Sequence, residues 1–241
     1  MSYDESDYYA DLQWEHFYKE IAPQAIEDFV KERMASYYDG HRDLALPAGG
    51  LLDEAAAQRS SHPRAATVFA VAAAEVCLKN AILKPLFQGL VHDQHMADAV
   101  AEVAVGQTGL DRFNGFLAQY MASVGGDLRT YCRRGSKNTL LAELRQAQNV
   151  RNTIVHRGSP AEPEDADLAL AVAQAIADDI LDPVLASVGF HRHNDWWICD
   201  RPASCKGVTS KPQSPAFAVE DGPRGRLPGS AEDDEFIGIG G

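Results

Sequence analysis

Almost everywhere along this chain apolar residues return at helical spacing, and almost nowhere at the alternating spacing of a strand. The clearest case runs from Pro63 to about Leu90, where Val68, Val71, Ala72, Val76, Ile82 and Leu83 supply apolar surface nearly all round. A helix dressed in that way belongs at the centre of a fold. Alanine, the best helix former, is abundant throughout and reinforces the pattern. The expected class is all-α.

Helix punctuation divides the pattern further. A first helix is expected over 16–38, with Pro23 a candidate break and Asp39-Gly40 its close. Residues 46–50 read as a turn before a short helix near 51–60. In the central helix Glu75 and Lys79 stand four apart and can pair, while Pro85 is expected to kink or end it. Helices follow at 93–105 and 110–124, the second stopped by Gly125-Gly126. Asn138 or Thr139 can cap a helix whose stripe is Leu140, Leu144, Ala147, Val150 and Ile154. The last, 163–188, opens on Glu164, Asp165 and Asp167, acids that suit a helix N-terminus.

Short links between such helices imply an antiparallel four-helix-bundle-like core over 62–188. The acidic segment 1–61 reads as an N-terminal helical extension, and 189–205 as a short C-terminal appendage. Residues 206–241, rich in Pro, Gly, Ser and charge and without apolar periodicity, are expected to be a disordered tail.

The formal net charge of −13 argues against a general coat for nucleic acid. It is unevenly spread. Residues 1–60 carry thirteen acids against five bases, and 161–187 carry seven acids and no base. Between them, 126–160 holds Arg129, Arg133, Arg134, Lys137, Arg145, Arg151 and Arg157 against two acids, a net +5. Such an island suits one polyanionic strand; the bland alternative is a solvated basic helix face. The acidic start Met1-Ser-Tyr-Asp-Glu-Ser-Asp lacks the form of a secretion signal, and the longest apolar run, 65–74, stops at Glu75. A cytoplasmic protein without a membrane span is expected.

The four cysteines read as reduced thiols. His191, His193, Cys199 and Cys205 are zinc-ligand types, but Cys-x5-Cys is wider than the usual interval and Trp196-Trp197 looks like a packing hook. No metal site and no cofactor is therefore expected.

Functional chemistry concentrates at 151–158, Arg-Asn-Thr-Ile-Val-His-Arg-Gly. Arg151 is a permanent cation, His156 exchanges protons near neutral pH, and Asn152 adds an amide donor. The bare spacing says little, because with fifteen Arg and eight His it arises by chance in roughly 40% of such chains. The basic island around it adds weight. Cations near a helix C-terminus also have a purely structural use, since they meet its dipole and free carbonyls. On an ideal helix Asn152 and His156 share a face, whereas Arg151 and His156 differ by about 140°. A two-fold dimer that brings two such helix ends together lets each subunit present both groups to a shared cleft.

In these residues the chain resembles the HEPN superfamily, small all-α domains carrying Arg, four to six residues and then His, with a polar residue such as Asn after the Arg. The resemblance covers about 62–188, with Glu75 and Lys79 as a possible supporting polar pair. It implies a dimeric, metal-independent endoribonuclease of toxin–antitoxin or phage-defence settings, with RNA as substrate and an antitoxin or other neutralising protein as a possible partner. His156 would act as general base or acid and Arg151 would stabilise phosphorane charge. Asn152 would orient phosphate or His156, and Arg129, Arg133, Arg134, Lys137, Arg145 and Arg157 would hold RNA. One branch of the family has a modified Tyr two residues after the His; here that position is Gly158. The same resemblance accommodates a noncatalytic module that binds nucleotide, RNA or a protein, and the residues alone also permit a structural helical interaction domain.

Overall fold

The computed structural model describes residues 22–106, 113–200 and Cys205, with Leu12, Glu15 and Lys19 singly. The expected tail, 206–241, and most of the start of the chain lie outside them. Among the described residues the fold is all-α, seven helices with one small hairpin: α1 (Ala22–Gly40), α2 (Leu46–Gln58), α3 (Pro63–Leu90), α4 (Gln94–Gly106), α5 (Asn114–Ser123), α6 (Leu140–Arg157), α7 (163–187), then β1 (His191–Arg192) and β2 (Ile198–Cys199).

The apolar surface of α3 puts it at the centre, against α2, α6 and α7, while α6 and α7 also pack on each other. Its 28 residues are long and apolar enough to cross a bilayer, although the run 65–74 alone is not. In this fold 61% of its most apolar window is buried against other helices. No break in packing falls at 61/62: Met34, Tyr38, Ala45, Ala48 and Leu52 join one core with α3 and α7.

Two sequence expectations are modified by neighbouring structure. Pro85 does not end α3, because the helix widens into a π-turn, Cys77–Leu83, just before it, and Lys84 N–H reaches back to the Lys79 carbonyl. The carbonyl of Ala81, which Pro85 cannot satisfy, instead accepts a 2.6 Å hydrogen bond from the buried Tyr38 hydroxyl. In α7 the same device appears, a π-turn at Ile176–Leu181 ahead of Pro183, and the two π-turns pack together. Residues 46–50 are the first turn of α2 rather than a loop. Gly49 is there for close approach: a Cβ built on it would lie 2.2 Å from Cγ of Trp196.

The helix ends near the candidate motif follow their sequence signals. Thr139 caps α6, its hydroxyl accepting from Ala142 N–H at 3.3 Å. Gly158, in the left-handed region at φ 66°, stops it. Asp165 accepts from Glu162 N–H at 3.0 Å where α7 begins.

Candidate functional site

All of Arg151, Asn152 and His156 lie on α6, whose inner face buries Leu140, Glu143, Leu144, Ala147 and Ile154. At 100° per residue, Arg145, Asn149, Asn152 and His156 fall within a stripe about 60° wide on the opposite face, and all four are exposed. His156 is in the last turn, beside the half-exposed Val155. Asn152 and His156 are thus brought together.

Arg151 is not on that stripe. It sits at the edge of the buried face, 28% exposed, and its Nη2 lies 2.5 Å from Glu75 Oε1 on α3. Gln148 donates to the same oxygen at 3.0 Å. Glu75 therefore serves α6 across the helix interface and is not paired with Lys79, which corrects the expected intrahelical pair. The cause is reach: α3 packs directly on α6, so a buried-side carboxylate meets a guanidinium and an amide there in a less hydrated setting. Arg151 Nε is buried and unpartnered. Within one chain Arg151 and His156 do not share a target.

The basic island divides between the two ends of α6, about 27 Å apart for an 18-residue helix. Leu140 N–H bonds the Tyr131 carbonyl, which fixes the loop carrying Arg129, Arg133, Arg134 and Lys137 at the N-terminal end, away from His156. Arg133 is taken up structurally. It forks onto the 3% exposed Glu143 at 2.7 and 3.1 Å, and Ser136 adds a 2.7 Å bond to the same carboxylate. Arg129, Arg134 and Lys137 are exposed on that loop, Arg145 lies on the outer stripe, and Arg157 is exposed beside His156.

A shallow groove of about 620 Å³ opens at the C-terminal end of α6, lined by His62, Arg64, Phe69, Ile154 and Pro160 among others. Neither Arg151 nor His156 lines it. His62 and Arg64, at the start of α3, carry no sequence signal of their own; only the packing of α3 on α6 brings them near the motif.

A second constellation gathers the four zinc-ligand types whose spacing along the chain led to no expectation of a metal site. The appendage folds as a β-hairpin in which His191 pairs with Cys199 and Arg192 with Ile198. The ligand atoms of His191, His193, Cys199 and Cys205 all lie within 4.8 Å of one another. Burial, then the nearby His193, lowers the His191 pKa below its ordinary value and favours the neutral imidazole. The signal available in the sequence was His-x-His, two residues on one face of a strand; counting residues between cysteines hid it.

Trp196 does act as a hook. It is 7% exposed, packs on Gly49 and lies under Arg192, whose guanidinium carbon is 4.4 Å from the ring. Its φ of 67° is in the left-handed region, a conformation held by that packing. Trp197 stays 41% exposed. No protein family, curated protein or solved structure matches the chain.

Proposed function

We propose that this protein is a metal-independent endoribonuclease of HEPN type, working as a homodimer in the cytoplasm in a toxin–antitoxin or phage-defence setting. The observation that carries the reading is the exposed polar stripe of α6, Arg145, Asn149, Asn152 and His156, with Arg151 on the same helix but held by Glu75 on the side facing α3. A two-fold dimer that apposes the C-terminal ends of two α6 helices, rather than their outer stripes, would present His156 of one subunit and Arg151 of its partner to one cleft. His156 takes the proton from a ribose 2′-hydroxyl, the freed oxygen attacks the adjacent phosphorus, and the bond to the 5′-oxygen breaks as that oxygen takes a proton from water; His156 then returns its own proton to solvent. The products are a 2′,3′-cyclic phosphate and a 5′-hydroxyl. Arg151 supplies charge to the phosphorane and Asn152 a hydrogen bond, in a cleft where such donors act most strongly.

A second reading has its own support. Glu75 already neutralises Arg151 within the chain, which suits a noncatalytic module that binds nucleotide, RNA or a neutralising protein.

Purified dimer incubated with RNA in EDTA, with helical content followed by circular dichroism, distinguishes the two. Catalysis requires cleavage that His156→Ala reduces by about 10²- to 10⁴-fold. Binding without cleavage, weakened by Arg151→Ala and by salt, supports the module. Cleavage that survives His156→Ala overturns the mechanism.

A further inference from the structure

We propose that His191, His193, Cys199 and Cys205 form a closed, structural zinc site that clamps the C-terminal hairpin and the chain at Cys205 to the end of the helical core. Strand alternation builds it. His191 and Cys199 are directly opposed, and His193 follows His191 on the same face. The alternate residues face the core: Ile198 is fully buried, and the 9% exposed guanidinium of Arg192 grips Asp182 at 3.0 Å through two bonds and Asp178 at 2.7 Å. One face of the hairpin is thus bolted to α7 while the other collects two imidazoles and a thiol, to which Cys205 adds a second thiol.

The four ligand atoms, all within 4.8 Å of one another, are gathered closely enough for small side-chain shifts to surround one tetrahedral ion. Zinc at its usual bond lengths holds ligand atoms roughly 3.3–3.8 Å apart. Sγ of Cys205 lies 3.5 Å from Sγ of Cys199, inside that range, and the two imidazole centroids are 5.1 Å apart; its 2.7 Å contact with Nε2 of His193 is a hydrogen bond that a bound ion would replace and open. Both ring nitrogens of His191 are buried, and neither makes a hydrogen bond of good geometry beyond a weak approach to the Cys199 backbone, a cost that one metal bond removes at one of them. Nδ1 of His193 faces Asp195 at 3.9 Å, the side on which a carboxylate orients a ligating imidazole.

Ligand chemistry narrows the ion. Two thiolates and two neutral imidazoles suit zinc and lack the oxygen donors that calcium or magnesium needs. All four positions come from protein, so the site is structural. Binding displaces the two thiol protons and leaves the assembly neutral. A Cys199–Cys205 disulfide is the competing outcome, and it leaves the His191 nitrogens unexplained.

The full chain, expressed without a histidine tag and purified without added metal, is assayed by inductively coupled plasma mass spectrometry. One zinc per chain is expected, lost in Cys199→Ser and in Cys205→Ser and retained in Cys132→Ser. Should either serine variant fail to fold, cobalt(II) exchange into the wild-type chain decides, with tetrahedral ligand-field bands and a thiolate charge-transfer band expected. A metal-free chain carrying a Cys199–Cys205 bridge, zinc unaffected by both substitutions, or a cobalt spectrum without thiolate character overturns the proposal.

Discussion

The end of α6 and the C-terminal hairpin hold the two sets of chemically active side chains, and they are assembled in opposite ways. On α6, Arg151 and His156 are five positions apart, yet a turn of 100° per residue sends one to the α3 interface and the other to solvent. In the hairpin, residues well separated in sequence are directly opposed by strand pairing. A helix disperses neighbours and a hairpin gathers strangers. The function proposed for α6 accordingly calls for a second copy of the chain, whereas the hairpin gathers its four side chains within one chain.

The two ends of α6 extend this contrast. At its N-terminal end Arg133 and Ser136, both part-buried, are tied to the buried Glu143 as a structural set. Glu143→Ala is expected to lower stability by about 3 kcal/mol in urea denaturation, because it strands a partly buried guanidinium. A change below about 0.5 kcal/mol, typical of surface sites, would return Arg133 to the pool of RNA-binding candidates.

Docking of the hairpin is tested by neighbouring glycines on α2. A methyl at Gly49 collides with the Trp196 ring, while one at Gly50 meets nothing within 4 Å. Gly49→Ala should therefore destabilise by about 1–3 kcal/mol, and Gly50→Ala should stabilise by about 0.5–1 kcal/mol through helix propensity. If thermal unfolding shows both substitutions stabilising, Trp196 is not seated on α2.

How much of this was legible in the residues depends on the range of the cause. Caps at Thr139 and Gly158 and the stripe of α6 are local, and each could be read from a few positions. Pro85 misled because the rescue of its helix comes from Tyr38. Gly49 misled for the same kind of reason, its use lying in a tryptophan of the hairpin. Arg151 and His156 were visible as types, but the Glu75 contact that fixes Arg151 depends on how α3 packs on α6. The four metal-ligand types were also visible; their convergence required strand register.

Cysteine reactivity gives a smaller, sharper reading of the same contrast. Burial pushes the Cys77 thiol up to about 12, so it stays protonated and unreactive at pH 8, whereas Cys132 is exposed. In the native protein iodoacetamide should modify Cys132 first and Cys77 not at all, with Cys199 and Cys205 reacting only after zinc is chelated. Equal labelling of Cys77 and Cys132 would contradict the packing around the π-turn of α3.

Joint action of Arg151 and His156 across a dimer cleft, as proposed, is tested most directly by complementation. Arg151→Ala and His156→Ala chains are each inactive on RNA in this account. When they are unfolded together, refolded and assayed as a mixture, half of the dimers are mixed and each contains one intact pair. Cleavage should return to about a quarter of the wild-type rate. A mixture as inactive as its parents, with mixed dimers verified by native mass spectrometry, would contradict the shared site.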